Sequence, residues 1–214
     1  MTRRMSGRKL EEITARIRAC RLCAETPEGA ILPHEPRPVL RVSPSARLLL
    51  ASQAPGNLVN QTGVPFNDPS GDRLRDWLGV DRETFYDVSR IAIVPMGFCF
   101  PGYDAAGGDL PPRAECRPRW HDALFASLPQ IETVVAIGRY AQDYHFERLG
   151  HALPKGANVS QIVARWREFQ NTTPLIFPLP HPSWRNSGWL KRNPWFEAEV
   201  LPALRAEVAR LIKM

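Results

Sequence analysis

Four short apolar runs, each followed at once by a turn that contains proline or glycine, limit the folds open to this chain. The runs are Arg47–Ser52, Ile91–Val94, Thr133–Ile137 and Leu175–Leu179. Continuous apolar runs of this length are typical of strands that a parallel sheet buries on both faces. Helical patterns separate the runs, so the sequence predicts an α/β fold, a three-layer α/β/α sandwich around a central four-stranded parallel sheet.

The segments that follow these runs are unusual and point to the position of a site. They are Gln53–Gly56, Pro95–Cys99, Gly138-Arg139 and Pro180–Arg185. Ligands of open parallel sheets bind beyond the carboxyl ends of the strands, so we expect the active site at this edge.

The sequence also predicts where three of the helices begin or end. One begins at a Ser70 cap and stops at Gly79, another begins at a Ser160 cap, and the last spans Glu197–Ile212.

Composition favours one intracellular domain with an anionic partner. The 214 residues fit a single domain over 1–214, in which residues 1–25 form an N-terminal helix that carries the first cysteine pair. No apolar stretch approaches the roughly 18 residues of a membrane span, and the start lacks the apolar core of a signal peptide. We therefore expect a cytoplasmic, nucleoid-associated monomer. The net charge of +6 suits nucleic acid, although charge alone fits a merely basic protein equally well.

The chain has four cysteines in an arrangement that favours metal ligation. Cys20 and Cys23 form a close pair, and Cys99 and Cys116 follow as two distant singles. Four unrelated buried thiols remain an alternative, whereas two disulfides are disfavoured without a secretory signal. A site of four thiolates would hold zinc or an iron–sulfur cluster, and spacing alone does not choose between them.

Three short motifs lie on matching elements of the predicted fold. Gln53-Ala54-Pro55-Gly56 follows the first strand, Gly63-Val64-Pro65-Phe66 lies just beyond it, and His181-Pro182-Ser183 follows the last strand. Together with the cysteine spacing they resemble the uracil-DNA glycosylase superfamily, in particular its iron–sulfur branch. The resemblance covers the chain from Cys20 to about Asn193; any one motif is a weak signal, and their shared order is a strong one.

The resemblance implies a monofunctional uracil-DNA glycosylase of base excision repair. Such an enzyme flips uracil, or a related deaminated base, out of DNA and hydrolyses its N-glycosidic bond. It also implies a structural [4Fe–4S] cluster on the four cysteines, with zinc as the alternative. Catalysis would fall to His181 and Gln53, and the base would lie against Ala54 and Phe66, although Phe66 is also consistent with an ordinary core aromatic.

His181 has a chemical reason to be catalytic. Cleavage of the bond between base and deoxyribose develops negative charge on the base, and a rigidly held donor at its carbonyl oxygen stabilises that charge. Two prolines flank His181 and restrict its backbone. The competing interpretation is a hydrogen-bonded surface histidine.

The segment after His181 combines basic, polar and aromatic residues and is the predicted DNA-binding loop. In the family, the loop after this motif enters the minor groove. We expect Ser183 to hold a phosphate, Arg185 and Lys191 to contact the backbone, and Trp184 or Leu190 to act as a wedge. A solvated loop that ends in a helix cap is the alternative.

Two positions depart from the family pattern. Where the best-known branch has its water-activating aspartate, this chain has Ala54, and where the iron–sulfur branch has its base-reading asparagine, this chain has Pro95. Replacements must come from nearby polar residues, namely Asn57, Asn60, Asn67 and Asp68. We favour Asp68 as the catalytic carboxylate and Asn60 as a base-binding residue, while an Asx turn is an equal alternative for Asp68.

Two further function classes stay open. One is a DNA-binding protein on the same scaffold that recognises a lesion without cleaving it, which the two departures support. The other, less favoured, is an iron–sulfur electron-transfer or sensor protein, which leaves the His181-Pro182-Ser183 motif unexplained.

Overall fold

Four parallel strands form the centre of the computed structural model, which describes the backbone of residues 3–213 and the side chains of residues 7–213. The strands are β1 (Leu48–Ser52), β2 (Ile91–Pro95), β3 (Thr133–Ile137) and β4 (Leu175–Leu179). Their order across the sheet is β2-β1-β3-β4, and Leu50 of β1 lies opposite both Ile93 and Val135. The predicted four-stranded parallel sheet is confirmed.

Helices connect and flank the strands. They are α1 (Arg3–Arg18), α2 (Leu22–Glu25), α3 (Asn57–Thr62), α4 (Pro69–Leu78), α5 (Arg82–Tyr86), α6 (Asp122–Ala126), α7 (Arg139–Arg148), α8 (Val159–Ala164), α9 (Ser187–Arg192) and α10 (Leu201–Ile212). Single π-helical turns, Arg117–His121 and Phe196–Val200, lead into α6 and α10. In the part of the chain that the structure describes, no helix is both long and apolar enough to cross a membrane.

Alternate residues of each strand enter two separate hydrophobic cores. Leu49 and Ala51 of β1 pack in one core with residues of α1, α6 and α7. Leu48 and Leu50 pack in the other core with residues of α4, α8 and α10. Because helices cover both faces, the strands are buried throughout, and the molecule is the predicted three-layer sandwich.

Helix starts differ from the sequence predictions. Asp68, not Ser70, caps α4 by accepting a hydrogen bond from the Gly71 N–H at 2.9 Å. Pro69 then occupies the first helical position, where its missing N–H costs nothing. Asn158, not Ser160, caps α8 in a capping box with Gln161. Both caps lie two residues before the predicted serines, because Asp and Asn are as favourable as Ser at the N-cap position of a helix.

The N-terminal prediction needs a similar correction. The helix expected within residues 1–25 is divided: α1 ends at Arg18, Cys20 follows it, and Cys23 belongs to the short α2. The final helix is also divided, since Phe196–Val200 is a π-helical turn before α10. The predicted stop at Gly79 is confirmed, because this glycine adopts a left-handed conformation with φ 69°.

Candidate active site

The loops after all four strands meet at one edge of the sheet. The Gly97 N–H donates to the Gln53 carbonyl at 2.8 Å, and the Gly138 N–H donates to the Leu179 carbonyl at 2.9 Å. A Cβ atom on Gly138 would lie only 2.8 Å from Nε2 of Gln53. Gln53 therefore packs directly on the turn after β3. This is where the chain crosses from one side of β1 to the other, the usual ligand position in such sheets.

His181 lies at the end of β4 and is set up as a neutral donor. The Ser183 N–H donates to its Nδ1 at 3.3 Å, which assigns the proton of the neutral ring to Nε2. Burial lowers the pKa of His181, an effect that the negative charge of Asp68 partly opposes. At neutral pH the ring is therefore uncharged, with a donor on Nε2 and Asp68 nearby.

Two side chains hold the loop that contains His181 in place. Asn186 Nδ2 donates to the His181 carbonyl at 2.7 Å, and Arg73 Nη1, from α4, donates to the Ser183 carbonyl at 2.9 Å. The loop is thus anchored both to itself and to a neighbouring helix. Sequence reasoning missed Arg73, because nothing local in α4 indicates a partner 110 residues away.

Phe66 occupies a strained backbone position. Its φ is 54°, in the left-handed region that residues other than glycine rarely adopt. Its carbonyl accepts hydrogen bonds from Arg75 Nη1 at 3.3 Å and from the Tyr86 hydroxyl at 3.2 Å. The ring is 9% exposed and meets Phe85 edge-on at 6.0 Å. Phe66 therefore belongs to the core, and its strained backbone lies beside the site, where such strain is typical.

Two carboxylates face the site, and the sequence predicted only one of them. Asp68 caps α4 through one oxygen and interacts electrostatically with His181 and with Asp109. Asp109 lies in the hairpin after β2, and its Oδ2 would be 3.7 Å from a Cβ on Gly56. Burial raises the pKa of Asp109, whereas the nearby charge of Arg185 lowers it. Only the fold brings Asp109 to this edge, since no motif contains it.

The remaining predicted residues differ in their surroundings. Ala54 is half-buried in the first-motif turn. Asn60 lies in α3, and its amide oxygen is buried without a hydrogen-bond partner among the described residues. Trp184 is 74% exposed, and the guanidinium of Arg185 lies 5.9 Å from its ring centroid. Lys191 is exposed on α9.

The family model of the uracil DNA glycosylase superfamily matches residues 41–205. The chain belongs to this superfamily. The match contains all four strands and the four loops that form the site. Membership supports a DNA glycosylase-type function in general, with DNA as the molecule that it acts on. The first cysteine pair lies outside the matched range.

In this superfamily member the four thiols lie in one region. The thiols of Cys23 and Cys116 share a hydrogen bond, which lowers the pKa of Cys23 to about 7 and raises that of Cys116. Burial raises the pKa of Cys99 to about 12, and Cys20 and Cys23 act on it electrostatically. All four cysteines are free thiols. Within residues 3–213, however, no three Cys, His, Asp or Glu side chains form a group that could hold a metal ion.

The donor set therefore suits a thiolate-bound metal, while the arrangement of the side chains does not form its ligand shell. A structural [4Fe–4S] cluster or zinc ion stays a prediction. Pro95, where the iron–sulfur branch has its asparagine, ends β2 and presents only its carbonyl oxygen, 3.0 Å from Nε2 of the buried His121. Nδ1 of the same ring faces the Cys116 carbonyl at 3.1 Å. The cysteine region and the end of β2 are thus connected through one imidazole.

Proposed function

We propose that this protein is a monofunctional DNA glycosylase that removes uracil, or a related deaminated base, from DNA. It would leave an abasic site, the first product of base excision repair, and act as a monomer. The observation that carries the proposal is the state of His181, whose Nδ1 accepts the Ser183 N–H and whose ring is neutral. This leaves Nε2–H as a fixed donor at the strand end where a flipped base would lie.

In the proposed reaction the bond between C1′ of the deoxyribose and the base nitrogen breaks, and its electron pair leaves with the base. The sugar becomes a cation resembling an oxocarbenium ion. His181 stabilises the negative charge on the base oxygen. Water then adds to C1′, and its proton goes to a carboxylate. Asp68 is the proposed acceptor, because its cap bond occupies only one of its two oxygens, and Asp109 faces the same space.

Base recognition must work without the aspartate and the asparagine of the family, which Ala54 and Pro95 replace in this chain. The amide oxygen of Asn60 is buried with no partner among the described residues, and an unpartnered buried acceptor is costly. A donor on an extruded base would satisfy it. Phe66 would contact the base through the small part of its side chain that is not buried in the core, and Ala54 would leave space for the base. Ser183, Trp184, Arg185 and Lys191 would bind the surrounding DNA.

Incubation with a DNA duplex that contains one uracil, followed by alkaline cleavage of abasic sites, tests the proposal. We expect strand cleavage at the uracil position only, and no cleavage of the matched thymine duplex. Parallel duplexes with hypoxanthine and xanthine identify a related deaminated base. Absence of cleavage in all three lesion duplexes would contradict a glycosylase.

A lesion-binding protein without catalysis is the second candidate, and the replacement of two expected polar residues by Ala54 and Pro95 favours it. The same duplexes separate the two. A DNA-binding protein of this kind would bind the lesion duplex at least tenfold more tightly than the matched duplex and yield no abasic product. Excision at the uracil would exclude it.

We also propose that Cys20, Cys23, Cys99 and Cys116 bind a structural [4Fe–4S] cluster that connects the N-terminal segment to the loop after β2. Four free thiols in one region, one with a lowered pKa, support thiolate ligation. Protein purified without oxygen should be brown and should bleach on reduction. One equivalent of zinc in colourless protein would replace iron with zinc, and protein with neither metal would refute the site.

A further inference from the structure

A basic groove runs along β2, the outer strand of the sheet, where Arg41 pairs with Ile93, and it takes no part in the proposed chemistry. Two adjoining cavities of about 400 and 340 Å³ form it, and they share Arg18, Pro38, Val39 and Gly63. Its complete lining is Arg18, residues 36–42, residues 61–63 and Val88. It contains three arginines and, among these described lining residues, no aspartate or glutamate. We use the name basic groove for this set.

The arginines of the basic groove keep their positive charge uncompensated. Arg37 Nη1 donates to the carbonyls of Asn60 and Gln61 at 3.0 and 3.1 Å. Arg41 Nη2 donates to the carbonyl of Tyr86 at 2.7 Å. Carbonyl partners fix a guanidinium in position without neutralising it, so these two side chains are preorganised for an anion.

Arg18 is the third of these arginines and is free to bind. It is exposed at the end of α1, and its guanidinium makes no hydrogen bond or ion pair among the described residues. Other surface arginines are paired with carboxylates, as Arg117 is with Glu147 and Arg167 with Glu199. The basic groove is therefore a concentration of unpaired positive charge.

The basic groove has a rigid floor and a fixed position relative to the site. Arg41 pairs with Ile93 of β2 through two main-chain hydrogen bonds, of 2.9 and 2.7 Å, and the Val39 N–H donates to the Phe98 carbonyl at 2.8 Å. Arg37 binds the end of α3, which begins directly after the Gln53–Gly56 turn. The two carbonyls that it binds belong to the fourth and fifth residues of α3. They lie about 6 to 8 Å along the helix from that turn, which corresponds to roughly two nucleotides of one strand in duplex DNA.

We propose that the basic groove binds the phosphodiester backbone of the DNA strand about two nucleotides from the extruded base, with Arg18 and Arg37 as the phosphate contacts. This rests on the proposed function, because it takes DNA as the substrate. It adds a second contact region to the loop after His181, on the other side of the first-motif turn. Together, the basic groove and the loop after His181 would hold the strand on both sides of the target nucleotide.

Two single variants, their double variant and one control test the proposal. Arg18→Gln and Arg37→Gln remove the two charges singly and together, and Lys9→Gln removes one charge from α1, roughly 13 Å along the same helix. The affinity for a 20-base-pair uracil duplex is measured by fluorescence anisotropy over a range of salt concentrations. Each arginine variant should reduce the slope of log affinity against log salt by about one unit and the double variant by about two. Lys9→Gln should leave the slope unchanged.

Substrate length supplies the second readout. A three-nucleotide single strand with a central uracil is too short to reach from the site across the basic groove, so wild type and double variant should excise it at equal rates. On the long duplex at low enzyme concentration, the double variant should be at least tenfold slower. Melting temperatures confirm that the variants are folded. If Arg37→Gln is unstable, Arg18→Gln alone still tests the proposal, because Arg18 is exposed and its side chain holds no other described residue in place.

The outcomes separate this proposal from the proposed function. Wild-type excision together with arginine variants that behave like Lys9→Gln would refute the groove and leave the glycosylase intact. An equal loss on short and long substrates would also refute it, because the effect would then lie in the site. If wild type neither binds nor cleaves any lesion duplex, the proposed function fails and the groove proposal with it.

Discussion

At the scale of single residues, the most informative feature is His181, whose burial at the end of β4 keeps its ring neutral. Burial disfavours a charged His181, and the Ser183 N–H needs a lone pair on Nδ1. Both effects select the tautomer that donates from Nε2. A fixed neutral donor does not have to lose a hydration shell when charge develops on the base, which is the advantage of a preorganised site.

His181→Ala should reduce single-turnover excision by about 10²–10³-fold, the usual cost of one preorganised donor, while binding to an abasic duplex stays within threefold. Because its pKa is lowered, the wild-type rate should show no inflection at the ordinary histidine value near 6.5 and should fall only at lower pH, as protonation of Nδ1 breaks the Ser183 bond. Rates measured from pH 5 to pH 8 check this. A variant as fast as the parent would contradict the assignment.

Asp68 and Asp109 compete for the role of proton acceptor, and asparagine substitutions distinguish them. Asn is as good a helix cap as Asp, so Asp68→Asn should keep the melting temperature and reduce excision by about 10²-fold or more if Asp68 acts on water. Asp109→Asn should have a smaller effect. If Asp109 is the acceptor instead, it must be ionised to accept the proton. The wild-type rate should then rise as the pH passes the raised pKa of Asp109, and Asp109→Asn should abolish that rise. The pH–rate profiles of the three proteins decide.

At the scale of elements, the start of α4 and the turn at Phe66 form one unit. Asp68 caps the helix, Arg75 from its middle binds the Phe66 carbonyl, and Gly71 allows the two backbones to touch. The strained φ of Phe66 is therefore maintained by contacts from the helix that follows it. The sequence contains this unit as a Gly-Val-Pro-Phe motif, but it does not reveal the strain.

Gly71→Ala tests that unit. In most helices this change is stabilising, but here the added methyl carbon would lie 1.8 Å from the Phe66 carbonyl oxygen, so the turn or the helix must shift. We expect a loss of about 2 kcal/mol or more in unfolding free energy and reduced excision. Gly7→Ala in α1, where nothing lies within 4 Å of the new Cβ, is the matched control and should be neutral or slightly stabilising. Urea denaturation of both variants measures the difference.

Sequence patterns located the strands well and the long-range partners poorly. Buried parallel strands are continuous apolar runs, so Thr133–Ile137 and Leu175–Leu179 were predicted with their observed bounds. Helix caps were predicted two residues late, because Asp68 and Asn158 compete with nearby serines on equal terms. Asp109 and Arg73 were missed, since their roles depend on contacts between distant segments that no local pattern contains.

At the scale of the whole molecule, the sheet divides the interior into two cores, and the one beneath α7 contains an unusual polar residue. His145 is fully buried, and its Nε2 has no hydrogen-bond partner among the described residues. Its ring packs against Phe125 at 4.8 Å, and Arg148 lies 3.5 Å from its Nδ1. Burial lowers the pKa of His145 well below its ordinary value, with the charge of Arg148 acting in the same direction. This core therefore tolerates the neutral ring and resists its protonation.

Acid should consequently destabilise the fold through His145. The unfolded chain binds a proton near pH 6.5, whereas the folded chain does so only at lower pH, so stability is full above 6.5 and declines as the pH falls below it. The decline contributed by one such group approaches about 1.4 kcal/mol per pH unit.

His145→Leu tests this source of acid sensitivity, because it removes both the titrating ring and its unpartnered nitrogen. The variant should flatten the pH dependence. Its unfolding free energy at pH 7.5 should stay within about 1 kcal/mol of the parent's, because the two side chains are similar in volume. Urea unfolding at pH 7.5, 6.5 and 5.5 compares the two proteins. Parallel declines would show that the acid sensitivity arises elsewhere and that His145 is protonated as readily in the folded core as in the unfolded chain.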